Sequence, residues 1–150
     1  MLWMSKSLNN RVHHQKGFTL LELLMVIAVI GVLASIAVPR FLNASSKAKF
    51  TEVINAAGPY KTAVELCVIN TGSATACNAG DQGIPAGYTG GTGKAASVGV
   101  VAGVVTVTGN TADFGNVAST YTLTPVVVNG VSGVSWTVGG TCKAQELCNY

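Results

Sequence analysis

Charged residues are scarce in this sequence, and histidine is almost absent. Asp, Glu, Lys and Arg make up 10% of the 150 residues, and the two histidines are His13 and His14. After residue 14 the chain therefore has no histidine for general acid–base catalysis or for binding a metal ion. The last 80 residues hold three acidic side chains, Asp81, Asp113 and Glu146, which are too scattered to predict a calcium site.

Two further classes of protein are disfavoured by the composition. Scattered carboxylates without a histidine do not form a catalytic constellation, so we expect neither an enzyme nor a bound cofactor. The net charge of +3 suggests a nucleic-acid partner at first, but Lys6, Arg11 and Lys16 all precede the first hydrophobic stretch. Without these three, the nine basic residues become six and balance the six acidic residues, so the basic character belongs to the N-terminal segment.

A hydrophobic run follows this basic segment. From Phe18 to Val38 there are 21 residues, of which Glu22 is the only charged one. As a helix such a run is about 31 Å long, which is enough to cross the hydrocarbon core of a bilayer. An ionised carboxylate in that environment costs roughly 3 kcal/mol. Glu22 is therefore expected to have a function that needs a partner from outside the run.

The junction between the basic segment and the hydrophobic run carries a specific motif. Gly17 precedes Phe18, and Glu22 is the fifth residue counted from Phe18. Residues 16–23 resemble the processing site of type IV pilins and of their type II secretion relatives, the pseudopilins. The resemblance implies that a prepilin peptidase cleaves after Gly17 and methylates Phe18. It also implies that Glu22 meets the N-terminal amine of a neighbouring subunit during fibre assembly.

Two residues further along the run also match this family. Gly31 and Pro39 fall where type IV pilins often have a glycine and a proline. Proline removes a backbone donor and glycine weakens a helix, so both favour local flexibility. We expect the helix between Gly31 and Pro39 to loosen and stretch when subunits pack into a fibre.

The same run has two other interpretations. A secretory signal peptide with a cleavage site at 35–37 would make Val38 the first mature residue. The 21-residue run is too long for such a signal, and Glu22 would have no purpose in a discarded peptide. A plain membrane anchor is the second interpretation, and it leaves the Gly17–Phe18 junction unexplained.

The four cysteines indicate an oxidising compartment. Cys67, Cys77, Cys142 and Cys148 all follow the hydrophobic run, and their even number is typical of disulfides. Three pairings are possible, and the sequence does not decide among them. We favour Cys67–Cys77 and Cys142–Cys148, because each closes a short loop and contributes about 2 to 3 kcal/mol. Zinc is disfavoured because the spacings do not match a zinc motif.

The downstream sequence predicts an α+β fold, in which a long N-terminal helix packs on three or four antiparallel strands. Apolar residues recur every three or four positions up to about Asn70, and Val- and Thr-rich stretches follow at 98–108, 120–129 and 134–138. Trp136 is expected to anchor the sheet to the helix. The predicted segments are a leader (1–17), a transmembrane and fibre-core helix (18–39), an amphipathic helix (40–70), a connecting loop (71–96), and the sheet with a disulfide-closed C-terminal segment (97–150).

The resemblance also implies a function. A type IV pilin is a structural subunit that polymerises with identical copies into a surface fibre for adhesion, twitching motility or DNA uptake. Its expected partners are prepilin peptidase, the inner-membrane assembly machinery, the inner membrane before assembly, and a surface or DNA ligand of the fibre. The precursor would lie in the inner membrane with its C-terminal body in the periplasm, and the fibre would be extracellular. A pseudopilin of a type II secretion system is the alternative.

Overall fold

A computed structural model of the protein describes residues 17–127 and 133–148, which belong to two compact units, one ending at Pro39 and one beginning at Arg40. Two helices come first among the described residues. Helix α1 spans Leu20–Ala56 and contains 37 residues, so it contributes to both units, and helix α2 spans Gly58–Thr71. The α1 residues of the second unit, α2 and the sheet together form the body of the protein.

The break between α1 and α2 lies where the sequence places a glycine and a proline. Helix α1 ends at Ala56, and Pro59 occupies the first turn of α2, where its missing N–H is not needed. Helix α2 ends at Gly72, whose φ of 74° is left-handed and whose N–H donates to the carbonyl of Val68 at 2.8 Å. A glycine in this conformation is a common helix terminator, because it has no Cβ to clash.

In the part of the chain that the structure describes, five antiparallel strands form one sheet in which each strand pairs with the next along the chain. This order lets short connections join neighbouring strands. A short 3-10 helix lies between the third and fourth strands, at Thr111–Asp113. The strands are β1 (Tyr88–Thr89), β2 (Ala95–Val101), β3 (Val104–Gly109), β4 (Thr120–Val127) and β5 (Val134–Gly139).

The core lies between one face of the sheet and the helical residues of the second unit. In β3, Val105 and Val107 are fully buried while their neighbours are partly exposed, because successive strand residues point to opposite faces. The helices supply residues spaced three or four apart, as a single buried helix face requires. The helix side of the core consists of Phe50, Val53, Ala57, Tyr60, Val64, Cys67 and Val68.

The predicted α+β class is confirmed, with five strands where the sequence predicted three or four. One reason is that the stretch 98–108 is a hairpin, since the chain turns at Ala102–Gly103 between β2 and β3. The other is that β1 lies inside the segment 71–96, which was predicted to be a loop. The predicted turn around Asn129 and Gly130 lies outside the described residues.

The β2–β3 turn offers a test of local backbone strain. Ala102 has φ of 48° and Gly103 has φ of 78°, the pattern of a two-residue turn that favours Asn followed by Gly. Ala102→Asn should therefore raise the free energy of unfolding by about 0.5 to 1 kcal/mol. Thermal unfolding measures the change. The control is Ala76→Asn at another exposed site, where φ is not positive. An equal gain in both variants would contradict the assignment of strain.

Candidate functional site

The predicted processing junction lies immediately before α1. Gly17 and Phe18 precede the helix and are exposed. Thr19 caps it, since its hydroxyl oxygen accepts a hydrogen bond from the Glu22 N–H at 3.1 Å, and its carbonyl accepts one from the Leu23 N–H at 3.2 Å. This is one half of a capping box, which fixes the first helical residue. The chain therefore becomes helical two residues after the predicted cleavage site.

Glu22 lies in the first turn of α1, with its side chain exposed. The N-terminus of a helix carries partial positive charge, which favours a carboxylate at this position. Among residues 17–127 and 133–148, the Glu22 carboxylate forms no ion pair. The Glu22 carboxylate can therefore pair with a cationic group that is not among the described residues.

The helix that follows Glu22 presents apolar side chains to its surroundings on all sides. Phe18 is 85% exposed and Leu20 is 81% exposed, and no residue from Phe18 to Val38 is buried. Among the described residues, the helical region Leu20–Thr71 is the one long and apolar enough to cross a membrane, by length and composition. A surface of this kind is stable only in lipid or against other apolar surfaces.

Gly31 and Pro39 both lie inside α1, which is assigned as helical through both positions. A Cβ atom added at Gly31 would meet nothing within 4 Å, so packing inside the subunit does not require glycine there. Pro39 lacks the N–H that would bond to the carbonyl four residues earlier. The single subunit is therefore helical through this segment, and loosening on assembly stays a prediction about the fibre.

The four cysteines form two disulfides in the second unit. Cys67 is bonded to Cys77 with a Cα–Cα distance of 6.0 Å, and Cys142 to Cys148 with a distance of 5.5 Å. These are the two short-loop pairs favoured from the sequence. All four residues are buried, and within the described ranges no group of three or more His, Cys, Asp or Glu side chains could hold a metal ion. The cysteines thus crosslink the body.

Two hydrogen bonds connect the end of the Cys67–Cys77 loop to the β2–β3 turn. The carbonyl of Cys77 accepts from the Gly103 N–H at 2.7 Å, and the side-chain oxygen of Asn78 accepts from the Ala102 N–H at 3.0 Å. The disulfide thus joins the end of α2 to a loop that is itself held against the sheet.

Trp136 on β5 connects the sheet to α2. Its ring N–H donates to Glu65 Oε1 at 2.7 Å, and Lys61 Nζ lies 5.9 Å from the ring centroid and 4.0 Å from Glu65 Oε1. The sequence predicted Trp136 as an anchor, but it gave no signal for Glu65 as the partner, because the two residues are 71 positions apart. Trp136 thus has a polar as well as an apolar contact with the helix.

Asp113 joins three segments of the body by ion pairs. Lys94 Nζ donates to its Oδ1 at 2.7 Å, and Lys49 Nζ lies 3.9 Å from the same oxygen. The hydrogen bond to Asp113 raises the pKa of Lys94 above 10.5. Any stability from this pair is therefore complete below pH 10.5 and is lost as the pH rises through the raised pKa. Because the Lys49 and Lys94 side chains are both partly exposed to solvent, these ion pairs contribute little to the stability of the fold.

Tyr60 holds the connecting loop to α2. Its hydroxyl donates to the carbonyl of Ala86 at 3.0 Å. Burial, followed by the nearby Tyr88, raises the pKa of Tyr60. The phenol therefore stays protonated, as the hydrogen bond requires, well into the alkaline range.

Family models match both the N-terminal hydrophobic helix and the body of this chain. Residues 12–38 match the prokaryotic N-terminal methylation motif, and residues 46–148 match the family described as pilin, a bacterial filament protein. The first match spans Gly17, Phe18, Glu22 and Gly31, and the second spans the body with both disulfides.

Curated relatives share part of their length with this chain. It is 43% identical over 75 residues to prepilin peptidase-dependent protein D of Escherichia coli (strain K12), and the matched region covers 50% of this chain and 51% of that protein. It is 38% identical over 86 residues to type IV major fimbrial protein FimA of Dichelobacter nodosus, and the matched region covers 55% of each protein. It is 42% identical over 71 residues to type IV pilus subunit protein TapA of Aeromonas hydrophila, 47% of this chain and 50% of that one. The chain thus spans about half the length of the curated relatives it matches.

Proposed function

Because this chain belongs to the pilin family of bacterial filament proteins, we propose that it is a structural subunit of a type IV pilus and polymerises through α1. One observation carries the proposal. Glu22 is the only charged residue between Phe18 and Val38, where every side chain is exposed, and it follows a Gly17–Phe18 junction inside a matched methylation motif. We assign the chain no catalytic role.

Processing prepares the helix for assembly. In the proposal, a prepilin peptidase removes residues 1–17 and methylates Phe18, so the 150-residue chain becomes one of 133 residues. Cleavage removes Lys6, Arg11 and Lys16 and creates a cationic amine at the head of the apolar helix. This amine is the partner that the Glu22 carboxylate lacks within the described residues.

Assembly then follows from burial and charge pairing. Drawing the 18–39 segments of several subunits together removes their exposed apolar side chains from lipid or water. Glu22 of one subunit pairs with the Phe18 amine of its neighbour, and either charge left alone in that apolar setting is costly. The ion pair therefore fixes the stagger between neighbouring helices, and loosening between Gly31 and Pro39 adjusts their length.

The proposal also places the protein in the cell. The precursor spans the inner membrane through residues 18–39, and the body from residue 40 onward lies in the periplasm, where its two disulfides can form. Its partners are identical subunits, prepilin peptidase and the assembly machinery of the inner membrane. The extracellular fibre would serve adhesion, twitching motility or DNA uptake through a surface or DNA ligand.

A type II secretion pseudopilin is the second candidate. The N-terminal methylation motif over residues 12–38 favours it as much as it favours a pilin, because both classes share that motif. The two disulfides of the body and the similarity to two proteins named as type IV fimbrial or pilus subunits favour the pilus. Recovery of the protein in sheared surface filaments separates the two candidates.

The first experiment is mass spectrometry of filaments sheared from the cell surface. We expect the N-terminus to be N-methylated Phe18. We also expect an intact mass four hydrogens below that of the reduced protein, because two disulfides are present. A sequence beginning at Val38 would show an ordinary secreted protein and overturn the proposal. Absence from surface filaments, with correct processing in the membrane fraction, would instead support the pseudopilin.

A further inference from the structure

Two exposed basic side chains follow the hydrophobic run on helix α1. Arg40 and Lys47 are seven positions apart, so they lie on one face of the helix, about 10 Å apart along its axis. Arg40 comes two residues after Val38, the last residue of the run. At 1.5 Å per helical residue it follows the run by about 3 Å, which is less than the roughly 5 to 7 Å thickness of a headgroup layer. When the run spans a bilayer, Arg40 is therefore expected at the level of the headgroups.

Neither cation has an anionic partner in the described part of the chain. Three other lysines lie within 4.0 Å of a carboxylate oxygen, whereas Arg40 and Lys47 form no ion pair there. The sequence contains no acidic residue from position 23 to position 51. Helical neighbours three or four positions away therefore cannot neutralise the two charges. A complementary anion has to be supplied by another molecule or by residues outside the described ranges.

Two large apolar side chains accompany these cations on the helix. Phe41 is 73% exposed and Leu42 is 59% exposed, although both follow Pro39 and belong to the second unit. Exposed apolar side chains are stabilised beside hydrocarbon, and the apolar stem of a basic residue can lie there with its charge among the headgroups. Side chains on a helix also lean towards its N-terminus, which here is the end that carries the hydrophobic run. Arg40 and Lys47 therefore lean towards a membrane that the run would span.

From this arrangement we infer that Arg40 and Lys47 bind the anionic headgroups of phospholipids, in the leaflet next to the body. The inference rests on the proposed membrane-spanning precursor. Guanidinium and ammonium groups donate charge-assisted hydrogen bonds to phosphate oxygens, and each basic residue near an anionic surface strengthens the attraction. Processing removes the three basic residues of the leader, so Arg40 and Lys47 become the basic side chains nearest to the hydrophobic run. They thus hold the processed subunit at a fixed depth until it enters a fibre.

The test uses the processed full-length chain in lipid nanodiscs that contain spin-labelled lipid. Electron paramagnetic resonance compares how strongly anionic phosphatidylglycerol and zwitterionic phosphatidylcholine associate with the protein. We expect the wild-type protein to prefer phosphatidylglycerol, and the preference to fall as salt is added, because salt screens exposed charges. Phosphatidylglycerol labelled at its headgroup should also broaden the amide NMR signals of residues 40–47 more than labelled phosphatidylcholine does.

Substitutions by glutamine test the two cations one at a time. Arg40→Gln and Lys47→Gln remove the charge but keep a long side chain of good helix propensity. Each should lower the preference for phosphatidylglycerol roughly fivefold, the contribution of one basic residue near an anionic surface. Lys143→Gln is the matched control, because Lys143 is exposed, forms no ion pair among the described residues and lies far from the run in the sequence. It should keep the wild-type preference, and circular dichroism verifies the fold of every variant.

Three results would overturn the inference: equal association of the two lipids with the wild-type protein, an undiminished preference when Arg40→Gln and Lys47→Gln are combined, or an equal loss in Lys143→Gln. The broadening in the wild-type protein localises the contact even where a variant does not fold. Bilayer insertion and methylation of Phe18 are measured on the same sample. An inserted, processed chain without a lipid preference refutes this inference alone, whereas a chain that does not enter the bilayer refutes the proposed precursor as well.

Discussion

Glu22→Ala is expected to lower the yield of surface filaments at least tenfold while leaving processing after Gly17 largely intact. The substitution removes the only carboxylate in the hydrophobic run. In the proposed assembly it would leave the Phe18 amine of the neighbouring subunit unpaired among apolar side chains. A lone charge in that setting costs roughly 3 kcal/mol, and 1.4 kcal/mol already changes an equilibrium about tenfold. Filament yield is measured by shearing and immunoblotting, and processing by the mass of the membrane-bound subunit.

Two control variants distinguish loss of the Glu22 charge from loss of helix capping and from loss of any other carboxylate on the same helix. Glu22→Gln keeps a capping side chain next to Thr19 but removes the charge, so it should fail as Glu22→Ala does. Glu52→Ala removes an exposed carboxylate from a later turn of the same helix and should assemble normally. Normal filament yield from Glu22→Ala, or full rescue by Glu22→Gln, would contradict the ion-pair mechanism.

Phe50→Ala should destabilise the body by about 4 kcal/mol, the usual cost of truncating a buried aromatic residue. Phe50 is fully buried in α1, and its ring meets that of Phe114 edge-on, with the centroids 5.4 Å apart. A loss of this size is a large part of the total stability of a small domain. For a body of this size it should lower the melting temperature by about 15 °C. Calorimetry or circular dichroism of the micelle-bound subunit measures this.

Phe41→Ala is the matched control for this second prediction. Phe41 lies on the same helix but is 73% exposed, so its truncation removes little buried area in the subunit. We expect its melting temperature to stay within a few degrees of wild type, since surface substitutions usually change stability by less than about 0.5 kcal/mol. Equal destabilisation by the two variants would mean that α1 does not pack on the sheet as described.

The helical half of the fold could be predicted because its signals are local. The spacing of apolar residues predicted a helix to about Asn70, and α2 ends at Thr71. The break after Ala56 coincides with the Gly58–Pro59 pair, because proline is best tolerated in the first turn of a helix. Such signals depend on residues within one or two turns, which a sequence displays directly.

The sheet was harder to predict, because the β2–β3 turn has only the second of the two residues typical of a hairpin turn, Gly103. At its first position Ala102 adopts a left-handed conformation that alanine seldom takes, so the Ala–Gly pair is a weak signal for a hairpin. Strand β1 has only two residues and is held by pairing with β2, from Tyr88 to Val98 and from Thr89 to Ser97. Strand pairing of this kind depends on tertiary context, which outweighs local propensity.

Some residues of the candidate site could likewise be recognised from local sequence signals, and others could not. Glu22 was recognisable because a charge in a hydrophobic run is anomalous by itself, and Thr19 could have been recognised from its spacing to Glu22, which is that of a capping box. The partner of Trp136 could not be predicted. Glu65 lies 71 positions before Trp136, and only the fold brings the two side chains into contact.

The bond between Cys67 and Cys77 also has a mechanical consequence. In a filament under tension, force would enter each subunit through its helices, and the end of α2 is the point where those helices join the rest of the body. Cys77 lies ten positions after Cys67, a stretch of chain that could extend to roughly 35 Å, whereas the disulfide holds the two Cα atoms 6.0 Å apart. Without the disulfide the loop would therefore have about 30 Å of slack. The covalent bond removes that slack. The hydrogen bond between Cys77 and Gly103 would then transmit part of the force to the sheet. Reduced filaments should accordingly extend further before they break.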